Sequence, residues 1–212
     1  MEFNSLLELV GSDPVFSSSL LLAGNVDPKP IRLQLSRWVK TGLIHQIRRG
    51  LYAIAPPYQK TKPHPFLVAN HLQRASYVSL QSALAYYGLI PETMFSTTSV
   101  STGRPERLVT PLGIYEFRHL KTELFFGYLL VDLGGQSAFL AAPEKALLDL
   151  VYLHPGGDAA AYLNELRLQN TELIDLDLLK NYSEKFHTPK LDKAYKKIMQ
   201  IIVGNDAAFE EL

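Results

Sequence analysis

The chain contains no cysteine, which excludes a disulfide framework and a thiolate nucleophile, and leaves only six scattered histidines and the carboxylates from which to build a zinc site. That absence fits a reducing compartment. Long hydrophobic runs are missing too. The apolar stretches are as short as LLLA at 20–23, and the opening MEFNSLLELVGSD has no basic region ahead of its apolar residues. Neither a membrane span nor a secretory signal is expected, and a cytoplasmic location is. Tryptophan occurs once, as Trp38. The most informative deficit is local: residues 28–91 carry no Asp or Glu, yet hold nine Lys or Arg.

What is present is ordinary for a folded protein. A hydrophobic content of 47% against 20% charged residues is enough to build a core and argues against disorder. The formal net charge of +0 conceals an asymmetry, because residues 1–91 carry +5 and the remainder −5. Clustered Lys and Arg release condensed counterions when they meet phosphates, so a polyanionic partner is one reading of the basic part. Neutralisation of one half by the other within a single fold is the second.

Local patterning favours the first. Asp13-Pro14 reads as an N-cap with proline at the first helical position, opening a helix through VFSSSLLLAG to Gly24. After a turn over 25–30 a second helix follows. At about 100° per residue its Ile31, Leu35, Trp38 and Val39 share one face, while Lys29, Arg32, Ser36, Arg37 and Lys40 share the other. Gly42 ends it. LIHQI and LYAI read as strands joined through Arg48, Arg49 and Gly50, a hairpin loop with glycine where a left-handed conformation is needed. Helix, turn, basic helix, basic hairpin is the order of a winged helix-turn-helix domain. In such a domain the second helix enters the major groove, and the hairpin tip lies on phosphates or in the adjacent minor groove. The expected DNA-contacting residues are therefore Lys29, Arg32, Ser36, Arg37, Lys40, Arg48 and Arg49, with Trp38 as the buried anchor.

Residues 55–65, APPYQKTKPHP, read as a linker, which divides the chain into 1–64 and 65–212. Beyond it SYV reads as a short strand. Ser79 reads as the cap of a helix carrying Leu80, Ala83, Leu84 and Tyr87 and stopped by Gly88. Extended segments at 94–102, 114–120 and 125–133 predict a mixed sheet, and AAPEKALLDLVYLH predicts a helix with Pro143 at its start and Glu144 near the positive end of its dipole. Three helical stretches follow from residue 156, the last with Leu191, Tyr195, Ile198 and Ile202 on one face, and NDAAFEEL is expected to fray. The fold class is thus α+β, a winged helix-turn-helix domain followed by a mixed α/β domain with a helical tail.

Three segments taken in order, RRGLYAI after WVKTGLI, SYVSLQSALAYYGLIPE, and AAPEKALLDLVY, resemble the AbiEi antitoxin family of transcriptional regulators over roughly residues 28–155. The resemblance implies a bacterial type IV toxin-antitoxin component. In such a protein a winged-helix domain represses its own operon through operator DNA, and a C-terminal domain counters a nucleotidyltransferase-like toxin of phage defence by abortive infection. Which residues would meet the toxin is not implied.

No catalytic constellation is legible and no cofactor is expected, so the chain reads as a non-enzyme. Glu144 and Lys145 with Asp132 and Asp149 suggest a metal-dependent nuclease, but adjacent residues point to different sides of a helix. The histidines at 45, 64, 71, 119, 154 and 187 show no metal-ligand spacing, and GGQ at 134–136 reads as a turn. A winged-helix regulator whose α/β domain senses a small molecule remains open, and a ligand-sized pocket would favour it.

Overall fold

The computed structural model describes residues 1–23 and 27–210, with side chains as far as Gly204. FNSLLELV forms α1 (Phe3–Val10), which buries Leu6 and Val10. The helix expected from Asp13-Pro14 is not formed as such. Phe16–Ser17 is instead a short strand, β1, and only Ser18–Leu21 is helical, α2, with the Ser17 hydroxyl accepting from the Ser19 N–H at 3.2 Å. The reason is tertiary: Phe16 is buried and stacks on Tyr52 across the β1–β3 ladder, with ring centroids 5.7 Å apart. The expected stop at Gly24 lies outside the described residues.

α3 (Pro28–Lys40) starts at Asp27, whose carboxylate accepts from the Lys29 N–H at 3.0 Å, and its first residue is proline, which has no amide hydrogen to leave unpaired. It buries Leu35 and Trp38, with Ile31 and Val39 packed beside them. β2 (Ile44–Arg48) and β3 (Leu51–Ile54) form an antiparallel hairpin that turns at Gly50, φ +81°. Alternation along β3 places Tyr52 and Ile54 in a cluster with Leu6, Val10, Leu35 and Trp38. Ala53, with Ile47 of β2, packs instead into the larger core downstream. The three-stranded sheet, ordered β1-β3-β2, therefore serves both cores.

α4 (Pro65–Leu72) follows, its first turn held by His64 Nδ1 accepting from the Phe66 N–H. Next come β4 (Ser76–Val78), α5 (Leu80–Tyr86), β5 (Ser96–Ser101), β6 (Glu106–Thr110), β7 (Gly113–His119), β8 (Tyr128–Asp132), β9 (Ser137–Ala141) and α6 (Pro143–Leu153). The strands make one six-stranded sheet in the order β6-β7-β5-β4-β9-β8. β4 with β9 and β5 with β7 run parallel and the other pairs antiparallel, so the sheet is mixed and the fold α+β. Sequence patterning anticipated neither α4, β6 nor β9. Ser79 sits at the expected N-cap position of α5, but its hydroxyl makes no cap and donates to Asp149.

α6 is buried all round, including Glu144, Lys145 and Asp149 alongside its leucines. It is enclosed by the tail, α7 (Ala160–Glu165), α8 (Leu176–Lys185) and α9 (Pro189–Glu210). Leu191, Ile198 and Ile202 are buried as the periodicity indicates, with Tyr195 partly so. The terminal segment expected to fray continues as helix to Glu210; residues 211–212 lie outside the described residues. No described helix is long and apolar enough to cross a membrane.

Candidate nucleic-acid interface

α3 sorts its side chains by chemistry. Leu35 and Trp38 face the N-terminal core, where the Phe3 ring meets Trp38 edge-on at 5.6 Å, while Lys29, Arg32, Ser36, Arg37 and Lys40 are all exposed. Among the described residues, none of these five side chains has a hydrogen-bond or ion-pair partner. Leu33 is 55% exposed on the same helix, an apolar side chain left in solvent beside the basic ones. The helix thus presents four uncompensated cations along about three turns.

The hairpin behaves differently at its two arginines. Arg49, at the tip, is exposed and likewise without an ion-pair partner among the described residues. Arg48 ends β2 and is engaged within the molecule. Its guanidinium donates to the Leu72 carbonyl at 2.9 Å, at the last residue of α4, and pairs with the Glu106 carboxylate at 3.4 Å, at the start of β6. Gln73 also donates to Glu106, at 3.3 Å. Arg48 thus joins the hairpin to the larger sheet, a role sequence reading missed because neither Leu72 nor Glu106 is near it in the chain.

The nuclease arrangement is not assembled. Asp132 lies at the end of β8, where it accepts from the Gly135 N–H in the GGQ turn, while Asp149 is enclosed in the core. Glu144 accepts from the Asp175 N–H at 2.7 Å and so fastens the start of α8 onto α6. Lys145 and Asp149, one helical turn apart, pair with each other, and Tyr77 and Ser79 donate to the same carboxylate at 3.0 and 2.8 Å. Rings of Phe126 and Phe186 lie 5.0 Å from the ammonium. Burial pushes the Lys145 ammonium down and the Asp149 carboxyl up, and each opposes the shift of the other. The i, i+4 spacing of Lys145 and Asp149 was the available signal for this pair.

Polar groups of the linker region and of the tail have structural partners. Gln136 of the GGQ turn donates to the Lys62 carbonyl and accepts from the His64 N–H, fixing the segment that joins the two parts of the chain. In α9, Lys190 binds the carbonyls of Tyr152 and His154, and Lys193 and Lys197 bind Asp158. Those lysines close the α6–α7 loop and are not a free basic face. No group of His, Asp and Glu among the described residues is placed to hold a metal. No family model matches the chain, and no curated protein matches it.

Proposed function

We propose that the chain is a DNA-binding transcriptional autorepressor that also serves as the antitoxin of a type IV toxin-antitoxin pair, and that it is not an enzyme. The observation that carries the DNA part is the exposed, uncompensated basic face of α3 set on a buried Leu35–Trp38 anchor. The order α1, β1, α2, α3, β2, β3 supports reading this unit as a winged helix, with α3 in the major groove and the β2–β3 hairpin as the wing. In this reading Lys29, Arg32, Ser36, Arg37 and Lys40 meet DNA and Arg49 meets a flanking phosphate. Arg48 positions the wing while it is held by Glu106, and reaches the backbone only on release. The antitoxin part rests on the resemblance of residues 28–155 to AbiEi proteins and on the acidic surplus beyond residue 91, a charge balance suited to a basic partner.

Fluorescence anisotropy on a labelled duplex from upstream of the gene, across a salt series, tests the assignment of α3. If Arg32 and Arg37 both contact phosphates, replacing both with Ala reduces the slope of log K against log salt by about 2. An unchanged slope removes α3 from the interface.

A further inference from the structure

A cleft of about 370 Å³ opens on the larger sheet where the start of α5, the end of α6 and strands β5 and β7 converge. Its apolar wall is Leu80, Leu150 and Leu153, and its polar rim is Gln81, Ser96, His154 and Arg118. Among the described residues, no hydrogen bond or ion pair engages the Arg118 guanidinium, the Gln81 amide, the Ser96 hydroxyl or the His154 ring nitrogens. The His154 ring is instead held in place by stacking on Tyr162, centroids 4.0 Å apart and planes within 6°. The carboxylate on the rim, Glu116, is already paired with Arg107 at 3.4 Å. Unengaged donors of Arg118, Gln81 and Ser96 therefore border the cleft, while the one carboxylate that lines it has a partner. Leu80, on the apolar wall, holds φ +58°, a backbone conformation costly for a branched side chain and one that collects at ligand sites.

The geometry points to a binding site for a small organic anion, with its oxyanion head on Arg118, aided by Gln81 and Ser96, and its apolar body against Leu80, Leu150 and Leu153. The volume falls within the range of small-molecule sites, and a guanidinium fork matches an oxyanion with two parallel hydrogen bonds.

The inference does not depend on DNA binding, and its test uses none. Titration calorimetry on the full chain with 3-phenylpropionate, phenyl phosphate and the neutral 3-phenylpropionamide measures head-group preference. At least one of the two anions binds saturably at or below about 1 mM, and the amide binds at least about tenfold more weakly. The tighter anion identifies the head group as carboxylate or phosphate. Arg118→Gln weakens that anion about tenfold or more with an unchanged melting temperature, and Gln81→Ala weakens it less. Absence of saturable anion binding up to about 10 mM, equal binding of the amide, or binding indifferent to Arg118→Gln each overturns the inference.

Discussion

The Arg48 guanidinium of the N-terminal hairpin lies 3.4 Å from the Glu106 carboxylate of the larger sheet. The last residue of β2, in the unit that carries the basic helix, is thus tethered to the part of the chain that carries the acidic surplus. The pair is partly exposed, with side chains 44% and 34% accessible, so its Coulomb energy is screened and its direct contribution to stability is about 1 kcal/mol or less. Its consequence lies in what Arg48 is free to touch.

Glu106→Gln removes the charge and keeps the shape. Under the proposed function the variant binds duplex DNA more tightly at low salt and its salt slope steepens by about 1, because one more arginine is available to phosphates. Urea unfolding shifts little. A slope unchanged or shallower than wild type means that Arg48 does not reach DNA even when released.

Lys145 and Asp149 are both enclosed, so breaking the pair leaves an uncompensated charge where water cannot reach it. Asp149→Asn or Lys145→Met alone is expected to cost about 3–5 kcal/mol. Lys145→Met combined with Asp149→Asn is expected to lose much less than the two single changes added together. Chemical denaturation of the four proteins gives the cycle. Additive losses mean that the two residues act separately in the core.

His64 gives stability a pH dependence with a defined sign. Burial holds its imidazole below the ordinary value of 6.5, and Nδ1 accepts the Phe66 N–H that starts α4, a bond only the neutral ring makes. An unfolded chain takes up this proton at about 6.5 while the folded one does not. The His64 contribution is therefore fully present above that value and is lost as the pH falls below it toward the folded value. Urea midpoints measured between about pH 7.5 and 5.5 fall for wild type, and fall less for His64→Asn, which keeps a cap acceptor but does not titrate. Parallel curves assign the loss to other groups.

If the proposed function holds and a toxin is encoded beside this chain, its two halves are expected to be separable by mutation. Arg32→Ala with Arg37→Ala is expected to abolish repression of a reporter driven by the upstream region, yet still restore growth when co-expressed with the neighbouring toxin. Loss of both activities at unchanged protein level means that neutralisation works through repression or through the same surface.

The sequence was informative where a pattern admitted a single packing solution. In α3 the apolar residues fall on one stripe and the cations on the other. The hairpin was marked by short β-rich runs either side of Gly50, and α6 by Pro143 ahead of a leucine-rich segment. It was silent where tertiary contacts decide. VFSSSLLLAG has helical composition, yet Phe16 pairs with Tyr52 as a strand because burial there outweighs local preference. PFLVANHL is apolar on nearly every side and offers no stripe to read, although it forms α4. ERLVT and SAFLA are strands only because β7 and β8 lie beside them. For the candidate interface, the basic character of α3 was legible residue by residue. The commitment of Arg48 to Leu72 and Glu106, and of Ser79 to Asp149, joins positions that only folding brings together.

The central claim is sequence-specific DNA binding by the N-terminal unit. It is tested most directly by competing the upstream duplex against a shuffled duplex of the same length and composition for the wild-type protein at one physiological salt concentration. The account predicts preference for the upstream duplex by about a thousandfold or more, the gap that separates specific from non-specific recognition. Equal affinity for the two duplexes would contradict it, and the basic face of α3 would then serve a partner other than operator DNA.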